Sequence, residues 1–140
     1  GAESAIRDPA GVSMSLFDWL LAGHLVGDFL LQTDGMARHK AHEWRWMFLH
    51  VGCYMAAVTL ATLLYAWPHR LAPGPVVAGL SLIAATHVGL DRRNFTAWWM
   101  RLVGISGDQP WLAIVIDQVF HILVLVIAAH IMLMGGPGRP

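Results

Sequence analysis

Two apolar segments, at 46–67 and 111–134, are each longer than 20 residues and constrain the possible fold of this chain more than any other feature. At a rise of about 1.5 Å per helical residue, either segment would cross a bilayer core of about 30 Å. Two shorter apolar segments, at 16–31 and 75–91, have about 16 residues each, and tilted neighbours or polar ends would extend them to a full span. None of the four shows the alternation typical of a strand, so we predict four transmembrane helices.

The composition agrees with a membrane protein. Hydrophobic residues make up 56% of the chain and charged residues 13%, against about 25% charged residues in an ordinary soluble domain. The formal net charge is zero, which gives no indication of a nucleic-acid partner. The lone cysteine, Cys53, excludes an internal disulfide and is typical of a small core residue.

All seven tryptophans fall near the ends of the predicted segments, where an aromatic belt at the membrane interface is expected. We therefore predict an all-α fold, a polytopic four-transmembrane-helix bundle at 14–134, with a tail at 1–13 and a flexible glycine- and proline-rich tail at 135–140. Short interfacial helices are expected in both long loops. One would be capped by Asp34, and the other would carry Phe95, Trp98, Trp99 and Leu102 on one face.

The basic residues are distributed unequally between the two sides of the predicted bundle. The two long loops contain six of them, namely Arg38, Lys40, Arg45, Arg92, Arg93 and Arg101. The opposite side contains three, namely Arg7, Arg70 and Arg139. The positive-inside rule therefore predicts integration into the cytoplasmic (inner) membrane with the long loops in the cytoplasm and both termini outside.

Histidine interrupts each of the four apolar segments, and aspartate three of them, at a similar predicted depth. The pairs lie four residues apart, as in "HLVGD" and "HVGLD", so each pair lies on one helical face. With alternating helix directions, the groups fall within about 15 Å of the cytoplasmic ends of their helices. They are His24, Asp28, His50, His87, Asp91, Asp117 and His121. Ionisable groups at bilayer depth are costly and persist by facing one another inside the bundle, so we expect a shared polar centre.

Imidazole and carboxylate are ligands that Zn²⁺, Fe or Mn accept, and bundles build metal sites from such side chains on facing helices. We predict a divalent metal held by residues from all four segments. The predicted ligands are His24, Asp28, His50, His87, Asp117 and His121. Asp91 is a predicted catalytic group that would also orient an imidazole or bind the metal, and Tyr54, one turn from His50, would donate to an oxyanion.

A bound metal would acidify a water molecule, which favours a metal-dependent hydrolase acting on a lipid-linked or small-molecule substrate reached from the lipid bilayer. Three other functions remain open from the residues alone. The first is proton or divalent-cation transport, which would need polar groups at both ends of the bundle. The second is haem binding through facing histidines. The third is a structural or regulatory membrane partner in which the buried pairs fix helix packing. Four short helices enclose little volume, so a homodimer is compatible with the chain.

The motifs also resemble a known family. "LLAGHLVGDFLLQTDGMARHK" at 20–40, followed by "LHVGCY", "THVGLD" and "IDQVFH", is similar to the small bacterial and phage integral membrane proteins grouped as domain of unknown function 3307. The similarity covers nearly all of 14–134. It implies the same topology and singles out the same polar residues, and it brings no activity with it.

Overall fold

The structure, a computed structural model, describes residues 13–92 and 94–136. The predicted tail at 1–13, apart from Ser13, lies outside the described residues, as do Arg93 and the last four residues of the predicted tail at 135–140. The described residues form helices and no strand. In chain order the helices are α1 (Leu16–Leu25), a π-helical segment π1 (Val26–Leu30), α2 (Asp34–His39), α3 (Trp44–Ala66), α4 (Pro73–Asp91), α5 (Asn94–Leu102) and α6 (Pro110–Met134). The all-α prediction is confirmed.

Three of these helices, α3, α4 and α6, are long and apolar enough to cross a membrane. In the most apolar 18-residue stretch of each helix, only 33% (α3), 28% (α4) and 22% (α6) of the residues are buried inside the protein. Most of each apolar surface therefore faces outward. A helix that is apolar all round and covered on one side only suits a lipid environment. The first predicted span is not among the three, because α1 and π1 contain 10 and 5 residues and together reach about 22 Å.

Local sequence signals explain where the helices begin. Ser15 and Asp18 form a capping box at the start of α1, in which the Ser15 hydroxyl accepts from Asp18 N–H and the Asp18 carboxylate accepts from Ser15 N–H. Prolines stand in the first turns of α4 and α6, where a missing N–H costs nothing. The predicted cap of α2 is wrong: Thr33 accepts from Met36 N–H, and Asp34 is the first helical residue. Thr33 precedes the helix with an extended backbone, which puts its hydroxyl over the free N–H groups.

Both loop helices are present as predicted, and α5 has the aromatic face expected of an interfacial helix. Its buried residues are Thr96 and Met100, while Trp98 and Trp99 remain partly exposed. Phe95 and Trp99 both contact Phe120, with ring centroids 4.9 and 5.5 Å apart, and these contacts pack α5 against α6.

The bundle is divided into an apolar half and a polar half. α1 and α4 run toward the polar half, and α3 and α6 begin in it. The apolar half is filled by one hydrophobic cluster that contains Leu16, Leu20, Val58, Leu125 and Met132. The main helix pairs are α4 with α6 and α1 with α3.

Glycine permits the close approach of α1 and π1 to α3. A Cβ atom on Gly23 would lie 2.9 Å from Ala61 Cβ, and one on Gly27 would lie 2.9 Å from Tyr54 Cα. The second contact is with backbone and cannot be relieved by a side-chain rotation. Gly27 therefore sets the distance between π1 and α3, and with it the position of Asp28 beside α3.

Candidate metal centre

Six of the predicted site residues converge in the polar half of the bundle from four different elements. Asp28 comes from π1, His50 from α3, His87 and Asp91 from α4, and Asp117 and His121 from α6. Asp28, His50, His87 and Asp91 are at most 4% exposed. The same four residues each place one ligand atom within 4.8 Å of the others, and we call them the tetrad.

The ligand atoms of the tetrad are spaced as they would be around one ion. His50 Nε2 lies 3.1 Å from His87 Nε2, 2.9 Å from Asp91 Oδ2 and 3.2 Å from Asp28 Oδ1. His87 Nε2 lies 3.3 Å from Asp91 Oδ2 and 4.0 Å from Asp28 Oδ1. Around a tetrahedral metal with bonds of about 2.0–2.1 Å, neighbouring ligand atoms are about 3.3 Å apart. Two imidazoles and two carboxylates at this spacing fit Zn²⁺, Fe²⁺ or Mn²⁺.

The directions of these contacts also favour a shared cation. Asp28 Oδ1 and Asp91 Oδ2 are fully covered, yet neither accepts a well-directed hydrogen bond from any described residue. The two Nε2 atoms of His50 and His87 face each other, and two such nitrogens attract only through a proton or cation between them. For the two carboxylate oxygens, short distances without hydrogen-bond direction are expected where several ligands point at one central position.

Lys40, predicted only as a loop charge, lies inside this centre. Its Nζ is 2.7 Å from Asp91 Oδ2, 3.6 Å from Asp28 Oδ1 and 3.1 Å from His50 Nε2. Lys40 follows α2 directly and is 6% exposed. One feature of the sequence indicates this position: Lys40 lies four residues after Met36, so both side chains lie on the same face of α2. Met36 is also buried, which makes this the inner face. Its ammonium neutralises one of the two tetrad carboxylates.

A directional chain of hydrogen bonds orients Asp28 from behind. The Tyr54 hydroxyl lies 3.0 Å from His24 Nδ1, His24 Nε2 lies 2.9 Å from Gln118 Oε1, and Gln118 Nε2 donates to Asp28 Oδ2 at 2.9 Å. One assignment satisfies the whole chain, with Tyr54 donating to Nδ1 and the Nε2–H of His24 donating to Gln118. Asp28 Oδ2 is thereby occupied, and Oδ1 is left for the tetrad. Such outer partners typically fix ligand orientation in metal sites.

His24 and Tyr54 therefore stand beside the tetrad and outside it. Both ring nitrogens of His24 are in the chain just described, and His24 belongs to neither group of metal-compatible residues. The Tyr54 ring stacks on the His87 ring with centroids 3.6 Å apart and planes 8° apart. The ligand role predicted for His24 and the catalytic role predicted for Tyr54 stay predictions.

A second group of metal-compatible residues, Asp91, Asp117 and His121, adjoins the tetrad. It shares Asp91 with the tetrad, and the His87 and His121 rings are in edge-to-face contact with centroids 4.8 Å apart. Thr96 donates from its hydroxyl to Asp117 Oδ1 at 3.1 Å, so α5 holds the Asp117 carboxylate.

A cavity of about 370 Å³ lies against both groups. Asp28, Lys40, Asp91, Asp117 and Gln118 form its polar wall. Phe29, Met100, Ala113 and Ile114 form its apolar wall. A mostly apolar cavity with a few converging polar groups is the usual form of a small-molecule site.

The comparisons with known proteins identify a family and no activity. A search of curated proteins and a search of solved structures each gave no match. Residues 16–137 match the family described as Protein of unknown function (DUF3307), in agreement with the resemblance seen in the motifs. The matched region includes α1 to α6 and all the groups of the polar centre. The chain belongs to the DUF3307 family.

Proposed function

We propose that this protein is a metal-dependent hydrolase of the cytoplasmic membrane, with one divalent ion held by Asp28, His50, His87 and Asp91. The single observation that carries the metal is the tetrad itself, four buried ligand atoms from three elements at ligand-to-ligand spacing. His24 and Tyr54 are assigned to the chain that orients Asp28, and Asp91 to the metal.

The charges of the polar centre support a bound cation. Asp28, Asp91 and Asp117 bring three negative charges into it, and Lys40 returns one positive charge. With its histidines neutral, the centre would be short of two positive charges. An uncompensated buried charge costs several kcal/mol, so these carboxylates favour bound cations.

A divalent ion beside an accessible cavity would supply a Lewis acid and lower the pKa of water for attack. In the hydrolysis, the water oxygen bonds to the acyl or phosphoryl centre, the bond to the leaving group breaks, and the proton goes to the leaving group. The cavity would hold the reacting group beside Asp91 and Lys40 and an apolar portion of the substrate against Phe29, Met100 and Ile114. A substrate of this shape would be lipid-linked or otherwise reached from the membrane.

The membrane arrangement is part of the proposal. α1 and π1 would insert as a fourth, short membrane segment, because they pack along α3 and expose Leu25, Phe29 and Leu30 on the outside. The loops that carry α2 and α5 would face the cytoplasm, which places the cavity in the cytoplasmic half of the membrane.

The other functions fit this geometry less well. Transport needs polar groups through the whole bundle, but Thr62 is the only buried polar side chain among the described residues of the apolar half, and it bonds to Val58 O at 2.8 Å. Haem needs axial nitrogens on opposite sides of the iron, about 4 Å apart with bonds of about 2 Å. His50 Nε2 and His87 Nε2 are 3.1 Å apart.

The test is hydrolysis by the detergent-purified full chain, prepared without chelator and assayed with para-nitrophenyl decanoate and para-nitrophenyl phosphate. We expect activity that EDTA abolishes, that Zn²⁺ or Mn²⁺ restores, and that His87→Ala lacks. His69→Ala, an exposed histidine in the α3–α4 turn, is the matched control and should be fully active. Metal-loaded wild-type protein that cleaves neither probe, or a His87→Ala variant as active as wild type, would contradict the proposal.

A further inference from the structure

His121 is a buried imidazole with one ring nitrogen committed and one unpartnered. Its Nδ1 lies 2.9 Å from the Asp117 backbone carbonyl and must carry the proton, because a carbonyl only accepts. Nε2 is then an unprotonated acceptor. It has no hydrogen-bond partner among the described residues, and His121 is 3% exposed.

The unpartnered nitrogen points at another acceptor. His121 Nε2 lies 3.7 Å from Asp91 Oδ1, too far for a hydrogen bond and with no proton on either atom in the neutral tautomer. A lone pair and a carboxylate oxygen that face each other inside a protein are stable when a cation lies between them. The spacing is compatible with two ligands of one metal ion.

Asp91 presents its two oxygens to two different groups. Oδ2 faces His50 and His87 at 2.9 and 3.3 Å, and Oδ1 faces His121. A carboxylate that turns one oxygen to each of two sites is the arrangement of a bridging ligand. Asp117 completes the second group: its Oδ1 accepts from the Thr96 hydroxyl at 3.1 Å, and its Oδ2 lies 3.4 Å from His121 Nδ1.

We propose a second metal site, formed by Asp91 Oδ1, Asp117 and His121, so that Asp91 bridges two divalent ions. The inference rests on the proposed function, since the first ion is the one held by the tetrad. Two carboxylates and one imidazole suit Mn²⁺, Fe²⁺ or Zn²⁺. With three protein ligands the second ion keeps open positions beside the cavity that Asp91, Asp117 and Thr96 line.

The experiment uses the full chain in detergent, stripped with chelator and titrated with Mn²⁺. Equilibrium dialysis counts the bound ions, and electron paramagnetic resonance shows whether they are magnetically coupled. We expect about two Mn²⁺ per chain with a coupled spectrum, as for ions about 3.5–4 Å apart. His121→Ala should bind about one Mn²⁺ with an isolated-ion spectrum, and Asp117→Asn, which keeps the size of the side chain, should do the same.

His130→Ala, an exposed histidine farther along α6, is the matched control and should keep both ions and the coupling. One uncoupled Mn²⁺ in wild type, lost in His87→Ala and kept in His121→Ala, would overturn the second site and leave the tetrad intact. Wild-type protein without bound Mn²⁺ would overturn both sites. Asp117→Asn provides the reading if His121→Ala does not elute as a folded species in size-exclusion chromatography.

Discussion

Lys40 Nζ lies among the ligand atoms of the tetrad, where a metal ion would also lie, so replacing Lys40 should destabilise the metal-free protein more than the metal-bound protein. The perturbation is Lys40→Met, which keeps most of the side-chain length and removes the charge. Without metal, the change leaves Asp91 and Asp28 without the ammonium that lies 2.7 and 3.6 Å from them. Both carboxylates are at most 5% exposed, so bulk solvent compensates little of the lost charge.

The magnitude follows from the burial of the pair. Removing one partner of a buried ion pair costs about 3–5 kcal/mol, and we expect the metal-free variant to lose stability of this size. A bound divalent ion supplies the missing charge, so the metal-bound variant should lose much less. By linkage, the difference appears as tighter metal binding. The metal affinity should rise by at most about two to three and a half orders of magnitude, because about 1.4 kcal/mol corresponds to a factor of ten.

The assay is thermal unfolding followed by intrinsic tryptophan fluorescence, in EDTA and in Mn²⁺, together with competition against a fluorescent metal indicator. Lys40→Met should unfold at a lower temperature than wild type in EDTA and should gain more from Mn²⁺. Arg38→Met, which removes an exposed charge from α2, should behave as wild type in both conditions. Weaker Mn²⁺ binding by Lys40→Met than by wild type would refute competition between ammonium and metal.

Three further predictions concern the supports of the site and its placement in the membrane. Gly27→Ala should destabilise the protein by about 1–3 kcal/mol and weaken metal binding, because its Cβ would lie 2.9 Å from Tyr54 Cα. Gly52→Ala is the control: its Cβ would have nothing within 4 Å, and it should change neither stability nor metal binding in the same unfolding and indicator assays. Gln118→Leu should weaken metal binding by about 10–100-fold in the indicator assay, because it breaks the chain from His24 to Asp28; wild-type affinity would contradict the orienting role. In a Cys53→Ser background, Arg70→Cys should react with a membrane-impermeant maleimide on intact cells, because the α3–α4 turn would lie outside. Arg38→Cys, in the cytoplasmic loop, should react only after lysis. The reverse pattern would contradict the proposed orientation.

Depth along the helices was predictable from the sequence, and it was sufficient to bring the site together. Counting turns from the predicted segment ends put His50, His87, Asp91 and His121 within about 15 Å of the same side of the bundle, and the structure has them in contact. This works because a helix advances by a fixed rise per residue, so that an error of a few residues in its ends shifts each group by only a few ångströms.

Rotation about the helix axes was less predictable. The four-residue spacing of His24 and Asp28 predicts that both lie on one ligand face. The helix widens at π1, where Leu31 N–H bonds to Val26 O, five residues back. Asp28 reaches the tetrad, while His24 contacts Gln118 and Tyr54. The π-helical turn has no local signal in the sequence that would have predicted it.

The position of Lys40 depends on tertiary structure in the same way. A lysine in a loop is usually solvated, and its burial follows from how α2 folds back beneath α3. The first apolar segment, predicted at 16–31, is helical over 16–30, but hydropathy does not show that the α-helix changes to a π-helix at Val26.

The central claim is that the tetrad binds a divalent metal ion, and elemental analysis tests it most directly. Wild type, His87→Ala and His69→Ala would be purified in detergent without chelator and measured by inductively coupled plasma mass spectrometry. We predict at least about one equivalent of Zn, Fe or Mn in wild type and in His69→Ala, with a loss of about one equivalent in His87→Ala. Wild-type protein that holds no metal above the buffer background, or His87→Ala with the same content as wild type, would contradict the claim.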